Sequence, residues 1–217
     1  MFSLFLLFLL VGFVIHLLVR HFFNKKNFVD EPDGVKKQHD MAVPISGGLS
    51  FGLSYSLFIF ACLLLFYFDF DSFFNFQIPN ESYGSNFPFF SFIILILLSL
   101  VLLSICLIDD LVSLPVWVRL FTQISCSILF MQLGDVSLIN LGALLGKGEI
   151  ILNEYIAFIF TIFCIVGVIN AFNWIDGIDG FFSSQVLIAL IGMIILIGEI
   201  SVIFLVFLSA ILPYILM

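Results

Sequence analysis

Between residues 170 and 180 the chain reads NAFNWIDGIDG, and Asn170, Asn173, Asp176 and Asp179 recur at every third position. On an α-helix each step of three drifts by about 60°, so the four side chains would cover one broad polar face. Amides and carboxylates set between apolar runs need water, a partner or a cation, which makes the segment a poor structural element and a good ligand site. Gly177 and Gly180 each follow an Asp and free the backbone beside it. An EF-hand is excluded, because the acidic spacing is wrong and the closing Glu is missing. A second acidic point, Asp109-Asp110, closes an apolar run within LIDDLVSLPVWVRL, and Arg119 follows at the start of the next run. A hard divalent cation such as Mg²⁺ takes one or two carboxylates and completes its shell with substrate phosphates, whereas an Asp pair in isolation is more often a solvated turn between helices. The third segment, FVDEPDGVKKQHDMAVPISGG over residues 28–48, gathers Lys36, Lys37 and His39 ahead of Pro44 and Gly47-Gly48. Such a group suits an anion such as a diphosphate; alone, it serves as a juxtamembrane basic run that sets topology and touches anionic headgroups.

The elements that must position these residues follow from composition. The 217 residues are 63% hydrophobic and 10% charged, with a mean hydropathy of +1.28, which no soluble domain shows. A hydrocarbon core about 30 Å thick takes roughly 20 apolar residues per helical span. The fold class expected is therefore all-α, a polytopic transmembrane bundle of about seven spans, at 1–19, 43–68, 88–108, 116–133, 155–170, 181–198 and 200–217. The alternating pattern of a membrane barrel is absent. The 30 Phe residues read as lipid-facing filler. The first run has its basic residues after it rather than before, so it is expected to be a retained span and not a cleaved signal. Cys62, Cys106, Cys126 and Cys164 lie in apolar runs without metal or disulfide spacing, and are expected to be buried thiols. A formal charge of −8 gives no reason to expect a nucleic-acid partner; the lipid bilayer is the partner that composition names.

Charge placement orients the spans. Five of the seven Lys and Arg residues fall between Arg20 and Lys37, so the first loop is expected in the cytoplasm and the N-terminus outside. Counting onward, residues 69–87 go out, Asp109-Asp110 returns to the cytoplasm, 134–154 goes out, and 170–180 comes in. Parity thus puts all three polar segments on one membrane face. No internal repeat or soluble domain is visible, and residues 1–217 read as one integral membrane domain.

With VDEP, KKQH and VPISGG first, then DD with Arg119 and Gln123, then NAFNWIDGIDG, the chain resembles the family of polyprenyl-phosphate N-acetylhexosamine-1-phosphate transferases. Within it, the likeness is greatest to the bacterial undecaprenyl-phosphate branch that begins O-antigen and enterobacterial common antigen synthesis. The resemblance implies transfer of N-acetylglucosamine 1-phosphate from a UDP-sugar to undecaprenyl phosphate, with release of UMP and a requirement for Mg²⁺ (or Mn²⁺). It implies catalytic roles for Asp109, Asp110, Asp176 and Asp179, and metal ligation by Asn173 with Asp109 and Asp110. Lys36, Lys37, His39, Arg119 and Asn170 would bind substrate. The implied location is the bacterial cytoplasmic (inner) membrane, crossed several times with the active site on its inner face; a homo-oligomer is compatible with the resemblance but not required by it.

Two departures stand out. Relatives carry a basic residue and a further Asp just after the acid pair, where this chain has Leu111 and Ser113. Relatives also continue past the equivalent of Met217 with more spans, a Gly-Asp motif and a His-rich cytoplasmic loop, while the only histidines here are His16, His21 and His39. The chain is therefore expected to be the N-terminal part of a longer transferase, shortened by a frameshift, a split gene or an incomplete record. The rival readings are a phospho-N-acetylmuramoyl-pentapeptide transferase of peptidoglycan synthesis, an inactive fragment or interaction subunit, and a cation or proton transporter. The transporter is disfavoured because its ionisable groups belong near the midplane, and these lie at span ends.

Overall fold

A computed structural model describes residues 2–30, 43–68, 89–134, 136–143, 148–175, 181–197 and 202–216. Among them are seven helices: α1 (Phe2–Lys26), α2 (Gly47–Tyr67), α3 (Phe89–Val112), α4 (Val116–Gly134), α5 (Glu154–Ile175), α6 (Phe181–Ile197) and α7 (Val202–Leu216). Two short strands, β1 (Val29–Asp30) and β2 (Val43–Pro44), pair antiparallel with Val29 opposite Pro44. The protein is an all-α helical membrane bundle. Phe2–Lys26, Gly47–Leu65, Phe90–Val112, Val116–Gly134 and Glu154–Asn173 are long and apolar enough to cross a bilayer, and Phe182–Leu196 and Ile203–Leu216 are shorter apolar helices.

Helix ends differ from the apolar runs for local reasons. The first apolar run ends near Val19, yet α1 continues two turns further, through Lys25 and Lys26, whose charges suit the negative end of a helix dipole. It then stops in a complete Schellman motif. Asn27 adopts a left-handed φ of 58°, and its N–H donates to Asn24 O at 3.1 Å while Phe28 N–H reaches Phe23 O at 3.0 Å. The accompanying apolar contact is the edge-on pair Phe23–Phe28, with ring centroids 5.7 Å apart. At the other end of that loop, Val43 and Pro44 are spent on the strand pair, so α2 begins at Gly47.

The chain divides into two compact units, one of Met1–Phe89 with Ile175–Met217 and one of Phe90–Trp174. In the first unit α1, α2 and α7 pack on one another and α6 packs on α7. Without a hydrophobic drive between helices in lipid, close approach through small residues and shared hydrogen bonds must hold such a bundle. Ser46 in the turn before α2 and Ser50 and Ser54 within it are spaced four residues apart and all buried, as is Ser209 on α7. Gly12 lets α1 approach α7 so closely that a Cβ there would sit 2.9 Å from Ser209 O. Phe8 and Phe58 stack at 4.5 Å, almost parallel. His16 is buried on α1, and because the Ser50 hydroxyl donates to Gly47 O at 2.9 Å, it accepts the 2.8 Å bond from His16 Nδ1.

In the second unit α3, α4 and α5 follow one another. Ser91 Oγ near the start of α3 donates to Gly134 O at the end of α4, at 3.2 Å, so these helices run antiparallel. The stretch between α4 and α5 folds back on itself: Leu141 N–H meets Ile150 O, Leu152 N–H meets Ile139 O, and Asn140 bridges Ile151. Asn153 then caps α5 by accepting from Ile156 N–H at 2.8 Å, with Glu154 in the first turn. All four cysteines are free thiols; Cys126 is buried as expected, Cys62 and Cys164 are half-buried, and Cys106 is exposed on α3. The expectation of burial fails for Cys106 because an apolar run in a membrane protein has an outward face as well as an inward one.

Candidate functional site

The site begins where α3 ends. Both acids lie in the last turn of α3 rather than in a loop after it, and Ser113 follows with a left-handed φ of 56°. Ser113 N–H returns to Asp109 O at 2.8 Å, which closes the helix. The next amide, Leu114 N–H, is taken by the Asp109 side chain through Oδ1 at 2.7 Å. Asp109 Oδ2 receives Arg119 Nη1 at 2.8 Å. One carboxylate thus caps the tip and ties it to α4, with Asp109 18% and Arg119 31% exposed. An arginine in the first turn of a helix faces the positive end of the dipole, and the adjacent carboxylate offsets that. Arg119 has five N–H donors, and among the described residues its bond to Asp109 accounts for one of them. Asp110, its neighbour on α3, is exposed.

One turn further along α4, Gln123 is buried at 8% exposure and accepts from Asn170 Nδ2 of α5 at 2.7 Å. The same nitrogen donates to Val166 O, one turn back on α5, at 2.8 Å. Asn173 lies one turn closer to the end of α5 and is exposed. The α3–α4 tip and the last turns of α5 therefore meet at one end of this unit, opposite the folded-back stretch that joins α4 to α5. Asn170 and Asn173 lie in the last turns of α5, which runs past the span end expected at 170 and closes at Ile175. Asp176 and Asp179 lie outside the described residues, as do Lys36, Lys37 and His39. Gln123, which the resemblance counts with Arg119 beyond the acid pair but gives no role, lies four residues after Arg119 on the same face of α4.

Among the described residues no group of three or more His, Cys, Asp and Glu side chains is placed to hold a metal ion. The oxygen donors described at this end, the Asp109 and Asp110 carboxylates and the Asn173 amide oxygen, are all hard ligands. That donor chemistry fits Mg²⁺ or Mn²⁺ rather than zinc or copper. Asp109 already accepts one hydrogen bond on each oxygen, so its orientation is set before any ligand arrives.

The described residues thus bring acid, amide and guanidinium groups to one end of three apolar helices. The model of glycosyl transferase family 4 matches residues 92–217, and the chain belongs to that family. The matched region contains α4, α5 and every site residue from Asp109 onward. It supports the kinship with polyprenyl-phosphate hexosamine-1-phosphate transferases and, in general terms, a membrane-integral transferase acting on glycosyl phosphates. No curated protein matches the chain.

Proposed function

We propose that the protein transfers a sugar 1-phosphate, N-acetylglucosamine 1-phosphate by preference, from a UDP-sugar to undecaprenyl phosphate, at the cytoplasmic face of a bacterial inner membrane. The observation that carries this reading is the meeting of the α3–α4 tip with the last turns of α5 through Arg119–Asp109 and Gln123–Asn170. In the net reaction an oxygen of the lipid phosphate bonds to the sugar-bearing phosphorus, and the bond from that phosphorus to UMP breaks. Between two anions such a transfer asks mainly for charge neutralisation and in-line positioning. Asp110 and Asn173 would hold Mg²⁺ (or Mn²⁺), together with Asp176 and with Asp109 through its remaining lone pairs; when bound, the ion supplies positive charge to the diphosphate. Asp109 holds the tip and aims Arg119, whose other N–H groups would face phosphate oxygens. Lys36, Lys37 and His39 add cations from the first loop, and Asp179 contacts uridine or sugar.

The test follows UMP release from UDP-N-acetylglucosamine by detergent-solubilised protein given undecaprenyl phosphate. Release that needs both Mg²⁺ and the lipid phosphate, and that is lost in Asp110→Asn, is the expected result. Activity that survives Asp109→Asn, Asp110→Asn and Asp176→Asn alike would overturn the assignment. UDP-N-acetylmuramoyl-pentapeptide as the preferred donor would move the protein to the peptidoglycan branch.

A further inference from the structure

Gln123 has no part in the chemistry proposed above, yet its carboxamide is among the few buried polar side chains of α4. The direction of its bond to Asn170 is set by a third group. Val166 O can only accept, so the Asn170 nitrogen must point toward it, and the second hydrogen of that nitrogen is the one that reaches Gln123. Gln123 is therefore obliged to present its oxygen, although amide oxygen and nitrogen are otherwise interchangeable in shape. Both Asn170 donors are then used within the protein, and its amide has none left for a phosphate oxygen.

We infer that Gln123 is a positioning residue whose buried carboxamide oxygen locks Asn170, and through it the final turns of α5, so that Asn173 is presented at the Asp109-Asp110 end of the unit. The Arg119–Asp109 pair sets α3 against α4, and one turn deeper the Gln123–Asn170 pair sets α5 against α4. Two rungs on a single helix face thus align the two carriers of oxygen ligands. A side chain behind a ligand typically costs about ten- to a hundredfold in metal affinity when removed. The inference rests on the reading of this end as a divalent-cation and diphosphate site.

The experiment compares the full chain in detergent with Gln123→Met, Asn170→Leu and the double variant, using Mn²⁺ binding by electron paramagnetic resonance, thermal unfolding, and UMP release against Mg²⁺ concentration. Each single change is expected to raise the Mn²⁺ concentration for half-binding, and the Mg²⁺ concentration for half-maximal release, by about tenfold. The double variant should shift no further than either single one, because the two side chains act as a unit. Shifts that multiply in the double variant would show Asn170 meeting the ligand on its own, and would overturn the inference. So would variants that lose only melting temperature or maximal rate while the metal requirement stays put. Gln123→Ala replaces Gln123→Met if the latter fails to accumulate. Wild-type protein that binds Mn²⁺ but releases no UMP counts against the proposed reaction and leaves the Mn²⁺ arm to decide on Gln123. Wild-type protein that binds no Mn²⁺ overturns the inference itself.

Discussion

Asp109 and Asp110 are adjacent in sequence and differ in work. Asp109 accepts Leu114 N–H and the Arg119 guanidinium, so its removal leaves a helix end open and an arginine without its counter-ion. A half-exposed ion pair of this kind is worth only about 1 kcal/mol, and its larger effect is on geometry. Asp109→Asn keeps an oxygen for Leu114 but drops the charge, and is expected to lower both the melting temperature and the rate of UMP release. Asp110→Asn is expected to cut release by about a hundredfold or more, as expected for a group that meets developing charge. Melting curves and initial rates on the same preparations check both, and an Asp110→Asn variant that releases UMP at the wild-type rate would sink its assignment.

At the scale of elements, two left-handed residues end the helices that lead into the polar segments. Asn27 closes α1 ahead of the basic loop, and Ser113 closes α3 at the acid tip. An L-residue with Cβ pays about 1–2 kcal/mol in that conformation, less for Asn, and a β-branched side chain pays more. Ser113→Gly is therefore expected to melt at or above the wild-type temperature with activity retained, and Ser113→Val well below it. Asn27→Gly and Asn27→Val should separate in the same order. Calorimetry or fluorescence melting in detergent reads the differences; a Val variant as stable as the Gly variant at either site would contradict the assigned backbone. In the first unit Gly12→Leu should separate α1 from α7, since its Cβ alone would press on Ser209 O and Pro213. Loss of folded protein on size exclusion is the expected outcome.

For the whole molecule, the proposal requires one sidedness. Single cysteines placed at positions 36, 113 and 177 of a chain without its own cysteines should be labelled only from the cytoplasmic side, and those at 75 and 146 only from outside. Any one of the first three appearing on the outer side would separate the three polar segments, and no common site could form. Parity from the basic first loop makes this prediction, since charge bias and not packing sets which face a loop takes during insertion.

Much of this architecture was legible without coordinates. Spans declare themselves because every residue in lipid must be apolar or paired, so α1 to α5 fall on long apolar runs, and Asn170 and Asn173 stand out by the same rule. What periodicity could not show was partnership. Nothing in the spacing distinguishes Asp109 from Asp110, or says that Asn170 donates to Gln123, because those facts depend on which helix lies alongside, a relation between residues 47 positions apart. The ends of helices were also out of reach: α1 and α3 stop where a left-handed residue lets the last carbonyls be capped, and hydropathy carries no trace of φ. Apolar character therefore determined the membrane fold and pointed to the polar residues, while tertiary contact alone decided which of them hold the site together and which face outward.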